Sequence, residues 1–90
     1  MKITAAFEKN GSGEVTATLI MERGGDDPNI ISIDGMARSF SQGSKMEVPK
    51  TFGRHQGKDA KDWSDNAIAD IRHQIEEFRT SVPKDYSVEI

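Results

Sequence analysis

The stretch DWSDNAIADIRHQIEEFRTS, residues 62–81, decides the fold. Within it Ile68, Ile71, Ile75 and Phe78 recur at steps of three and four, Val82 continues the series, and Trp63 and Ala67 widen it. That spacing draws one apolar stripe along an α-helix. Asp62 or Ser64 can cap its start, Asp65 sits well in a first turn, and Pro83 falls where the helix has already ended. At ~1.5 to 3 kcal/mol for each large side chain fully buried, the stripe offers roughly 10 kcal/mol, an upper bound before chain entropy is counted. A domain this small cannot leave it in water, so it packs against a sheet.

The sheet is written upstream. Ile3, Ala5 and Phe7 alternate with Lys2, Thr4, Ala6 and Glu8, which is the pattern of a half-buried strand. Asn10-Gly11-Ser12-Gly13 then tolerates positive φ, and Val15, Ala17, Leu19 and Met21 alternate with Thr16, Thr18, Ile20 and Glu22, so residues 2–22 form a hairpin. A loop follows through Gly24-Gly25 and Asp26-Asp27-Pro28. A second hairpin spans residues 30–40, with Asp34-Gly35 as a type I′ turn, which pairs Ile33 with Met36 and Ile31 with Arg38. From Ser41 to Lys61 the periodicity fades and reads as a flexible basic connection, with Met46 to Val48 its one candidate strand. Tyr86 to Ile90 alternates again and suits a short terminal strand within the tail 82–90. The expected fold is α+β: a small antiparallel sheet of about four strands on one helix in the C-terminal half.

Composition sets the outer limits. Ninety residues make one domain, of the size that buries only about 60 to 65% of its unfolded surface. With no cysteine, disulfide and thiolate chemistry are excluded, and no oxidising compartment is required. No apolar run approaches the ~20 residues of a membrane span, and Met1-Lys2-Ile3-Thr4 enters an alternating segment directly, so a cytoplasmic setting without membrane partners is expected. The net charge of −3 is unevenly spread: Arg38 to Lys61 carries six bases against two acids, +4, which leaves −7 for the remainder.

That basic segment is the candidate partner-binding surface, through Arg38, Lys45, Lys50, Arg54, His55, Lys58 and Lys61. Its glycines invite comparison with a phosphate loop, but Gly53 and Gly57 enclose three residues where that loop needs four, and Asp59 follows the lysine where a hydroxyl is required. With Phe40, Phe52 and Trp63 between the bases, single-stranded nucleic acid is the alternative partner, unless the core claims those rings. Asp70, His73 and Glu77 share a helix face at metal-ligand spacing, yet without cysteine and with only one further histidine they read as a solvated face. No serine sits in a nucleophile elbow, and the paired acids Asp26-Asp27 and Glu76-Glu77 diverge as sequence neighbours, so neither catalysis nor a cofactor is expected. The helix carries a net −3 from Asp62 to Ser81, too sparse to imitate a duplex at one phosphate per ~1.7 Å.

What remains is surface. In size and layout the chain resembles the small inhibitors that phages carry against host machinery, anti-CRISPR proteins among them, a likeness of class that covers no specific residue. The resemblance implies a non-enzymatic protein that occludes a surface of a larger protein or protein complex, as a monomer or a homodimer. A self-assembling component joined through strand edges is the third class.

Overall fold

The computed structural model describes residues 1–40 and 43–81. The elements run β1 (Lys2–Lys9), β2 (Val15–Glu22), β3 (Ile30–Ile33), β4 (Met36–Ser39), β5 (Lys45–Phe52) and α1 (Gly57–Ser81). β1, β2 and β5 form an antiparallel sheet with β2 at its centre, while β3 and β4 form a separate two-stranded hairpin. This is the expected α+β arrangement, with five strands in two sheets instead of about four in one.

Both hairpins have the turns their residues demand. At the first, Asn10 N–H donates to the Glu14 carbonyl at 3.0 Å, Gly13 N–H donates to the Asn10 carbonyl at 3.1 Å, and Gly13 takes φ 85°. The Asn10 carboxamide oxygen also accepts from the Ser12 and Glu14 amides, so the side chain closes the loop on itself. At the second, Asp34 (φ 54°) and Gly35 (φ 77°) both stand in the left-handed region, which is the type I′ turn, and Ile33 pairs with Met36 and Ile31 with Arg38.

The sheet buries one face under α1. Ala17, Leu19 and Met21 of β2 are fully covered, joined by Val48 of β5, Ile31 and Ile33 of β3, Phe40, and Ile71 and Ile75 of α1. Trp63, Ala67 and Ile68 pack around this cluster, so the apolar stripe lies where its period puts it; Phe78, 40% exposed, leaves the core near the helix end. Midway along the β3–β4 hairpin, one side chain of α1 ties the backbone of β3 to the helix. Ser32 is turned away from β4 by the pairing of its neighbours, and Gln74 completes that edge: Ser32 N–H donates to Oε1 and Nε2 donates to the Ser32 carbonyl, each at 2.7 Å. The amide of Gln74 thus substitutes for a neighbouring strand.

Two expectations need correction. The expected flexible connection is, over its described part, regular structure: β5 occupies Lys45–Phe52 and pairs along its whole length with β2. Pro49 is tolerated because Thr18 opposite it points its polar backbone toward β1, which leaves the proline nitrogen on the outer edge. The helix starts at Gly57, not near Asp62, so neither Asp62 nor Ser64 caps it. Ser64 instead lies inside, buried, with its hydroxyl donating to the Ala60 carbonyl at 2.9 Å. Val82 and the terminal strand expected at residues 86–90 lie outside the described residues.

One end of the layered structure is closed by charge. Asp27 is only 2% exposed and accepts from the Met1 ammonium at 2.8 Å, Arg79 at 2.9 Å and Gly24 N–H at 2.8 Å. Burial alone would push this carboxyl up; the Met1 ammonium, the Gly24 amide and the Arg79 guanidinium outweigh it and hold Asp27 below the ordinary carboxylate range.

Candidate partner-binding surface

The seven basic residues singled out in the sequence are not one patch. Lys45 opens β5, across from Glu22 and 3.8 Å from Glu47; at ~3.3 Å per residue it lies roughly 23 Å along the strand from Phe52. Arg38 is on β4, half-buried opposite Ile31, and its Nε is shielded with no hydrogen-bond partner among the described residues. Both stand apart from the others.

Lys50 is engaged within the molecule, although its side chain is 44% exposed. It shares the helix-side face of the sheet with Ala17 and Val48, and its Nζ lies 5.3 Å from the Trp63 ring centre, 5.6 Å from that of Phe52 and 3.4 Å from Asp34. Trp63 Nε1–H in turn donates to both carboxylate oxygens of Asp34 at 3.0 Å. Lys50 therefore ties β5, α1 and the tip of the β3–β4 hairpin together, and is a clasp within the molecule. Of the rings the nucleic-acid alternative draws on, Phe40 is in the core, while Phe52 and Trp63 pack 6.0 Å apart at a tilt of 57° beside Lys50.

Arg54, His55 and Lys61 do converge, with help the sequence did not announce. The loop from β5 to α1 lies against the first turn of the chain, held by Arg54 Nε–H donating to the Ser12 carbonyl at 2.6 Å. Gln56 secures its other side, accepting the Gly53 amide at 2.7 Å, and His55 between them takes φ 61°. Along this seam runs an open groove of about 610 Å³ lined by Lys9, Ser12, Val15, Arg54, His55 and Gly57 among others. A second hollow of about 350 Å³ adjoins it, sharing Lys9, Val15 and Gly57 and adding Phe7, Glu8 and Lys61. Lys58 is exposed on the first helical turn.

Here the sheet outruns its cover. Phe7 follows the alternation that puts Ile3 and Ala5 under the helix, yet it is 49% exposed because α1 leaves the β1 edge uncovered at this end. Phe7 and Val15 give the groove an apolar floor; Lys9, Arg54, His55 and Lys61 give it a cationic rim, tempered by Glu8. Lys61 also pairs with Asp65 at 2.8 Å, which raises its ammonium pKa. Such a surface attracts acidic groups at a distance and offers a ring to an apolar contact on arrival.

The Asp70, His73 and Glu77 face of the helix does not converge on one point. Gln74 donates to Asp70 at 3.0 Å, while His73 meets Glu77 at 3.1 Å, and no group of three potential ligands able to hold a metal ion occurs among the described residues. No helix among them is long and apolar enough to cross a membrane. No protein-family model matches the chain, and neither the curated proteins nor the solved structures yield a similar one.

Proposed function

We propose that this protein is a non-enzymatic binder that occludes an acidic surface of a larger protein, using the groove between the β1–β2 turn and the N-terminal turns of α1. The observation that carries this reading is the convergence of Lys9, Arg54, His55 and Lys61 around the exposed Phe7. Charged rim and apolar centre are the anatomy of a recognition patch, in which the charges set approach and specificity and the buried ring holds the contact. An inhibitor of a host or defence complex, of the sort phages encode and anti-CRISPR proteins exemplify, is the form of this function that small size and a bare binding surface suit. Single-stranded nucleic acid is the weaker partner, because among the described residues Phe7 is the one exposed ring lining the cationic groove.

The test is capture from host lysate, with and without nuclease, by the unmodified chain and by a Lys9→Glu/Lys58→Glu/Lys61→Glu variant. Arg54 is spared because it holds the loop to Ser12. A protein retained through nuclease treatment by the unmodified chain and lost by the variant is the expected result. Equal retention by both would reject the groove, and loss of everything on nuclease treatment would transfer the function to nucleic acid.

A further inference from the structure

We propose that β1 is a self-pairing edge, through which two copies of this chain join their sheets antiparallel about a two-fold axis at Ala5. Asn10 and Glu14 are a hydrogen-bonded pair, so in the alternation of an antiparallel ladder Glu8, Ala6, Thr4 and Lys2 also bond to β2, while the N–H and C=O groups of Ile3, Ala5, Phe7 and Lys9 point outward. No described strand lies on that side. The opposite edge is defended: β5 presents Lys45, Glu47 and Pro49 there, two charges and a missing donor. β1 has no proline, and of its outward-facing residues Ile3, Ala5, Phe7 and Lys9 only the last, at the strand end, is charged.

The residues of β1 then select the occupant. An added strand must bond to the outward groups of the odd-numbered residues, so a second β1 aligns odd with odd. With Ala5 opposite Ala5, Ile3 faces Phe7 of the second copy and Lys2 faces Glu8, each pair occurring twice by symmetry. Opposite charges meet on the face away from the helix, and the exposed Phe7 ring gains an isoleucine on the helix side, where cross-strand neighbours stand close enough to interact. Thr4 faces Ala6, which crowds nothing. Moving the centre to Ala6 would set Ile3 against Lys9 and Thr4 against Glu8 and lose both matches. The result is one continuous sheet ordered β5-β2-β1-β1-β2-β5, with both helices on the same face. The pairing draws on Phe7, which also lines the groove, so a second β1 and a groove-bound partner share that ring.

The chain contains no cysteine, so single replacements report the register cleanly. Opposed α-carbons in a hydrogen-bonded pair stand about 5.5 Å apart, within disulfide reach. The experiment combines sedimentation of the unmodified chain with mild oxidation of Ala5→Cys and of Ala6→Cys, and with charge variants at the ladder ends. Expected are a concentration-dependent dimer, crosslinking of Ala5→Cys well above that of Ala6→Cys, dimer weakening by about tenfold in Lys2→Glu, and its recovery in Lys2→Glu/Glu8→Lys. Lys2 and Glu8 are exposed, so circular dichroism of these variants should match the unmodified chain. A chain that sediments as a monomer throughout, or a dimer indifferent to Lys2→Glu and crosslinked equally at both positions, would overturn the proposal.

Discussion

The two ends of the helix-on-sheet layer are built by opposite rules. At the C-terminal end of α1, Asp27 is buried and satisfied by the Met1 ammonium, Arg79 and the Gly24 amide. At the N-terminal end the charges face water around an open groove, and a phenylalanine on the helix side of the sheet stands half uncovered. At the closed end the carboxylate and the Met1 ammonium are desolvated and neither can be removed singly, whereas the charges at the open end are solvated and contribute little to folding.

That contrast can be broken by substitution, beginning at the core between the two ends. Leu19→Ala removes a fully buried side chain at the centre of the cluster and should cost about 3 kcal/mol in urea unfolding. Asp27→Ala should cost a comparable ~3 kcal/mol, because it strands a buried ammonium and releases the Arg79 guanidinium. Were Asp27→Ala no more harmful than a surface change, the closed end would be misread. Gln74→Ala frees both polar groups of Ser32 on a partly covered strand edge and should cost about 1 to 2 kcal/mol, with the β3–β4 amides losing hydrogen-exchange protection first. The smallest effect belongs to the open end, where Lys9→Glu or Lys58→Glu should fall within about 0.5 kcal/mol of the unmodified chain.

Acid should weaken the closed end. The folded pKa of Asp27 is depressed, so its contribution is fully present above the ordinary carboxylate value and is lost as pH falls through the lower, folded one. Stability should therefore hold down to about pH 4 and decline below it, and Asp27→Asn should flatten that decline. A decline equally steep in the variant would assign acid sensitivity to other groups.

Much of the fold was legible because its signals are local. The stripe Ile68, Ile71, Ile75 named the helix, and Asp34-Gly35 fixed the register of β3 and β4 to the residue. β5 was obscured by two of its own members: Lys50 occupies a core-side position, where a clasp of two rings and a carboxylate holds it, and Pro49 interrupts the run, which only an edge strand permits. The helix start was hidden by Gly57 and the charged turn after it. Of the groove, Arg54, His55 and Lys61 could be named from charge alone, since they are near one another in sequence. Phe7, Lys9 and Val15 could not, because alternation marks Phe7 and Val15 as core residues and only the folded chain shows the helix stopping short of them. Asp27 and Arg79, 52 residues apart, carry no mutual signal at all.

Separating recognition from stability in one variant is the most direct test. The Lys9→Glu/Lys58→Glu/Lys61→Glu chain should bind the captured partner at least about tenfold more weakly than the unmodified chain while its urea midpoint stays put. Undiminished affinity at an unchanged midpoint would contradict the assignment of the open end as the contact surface.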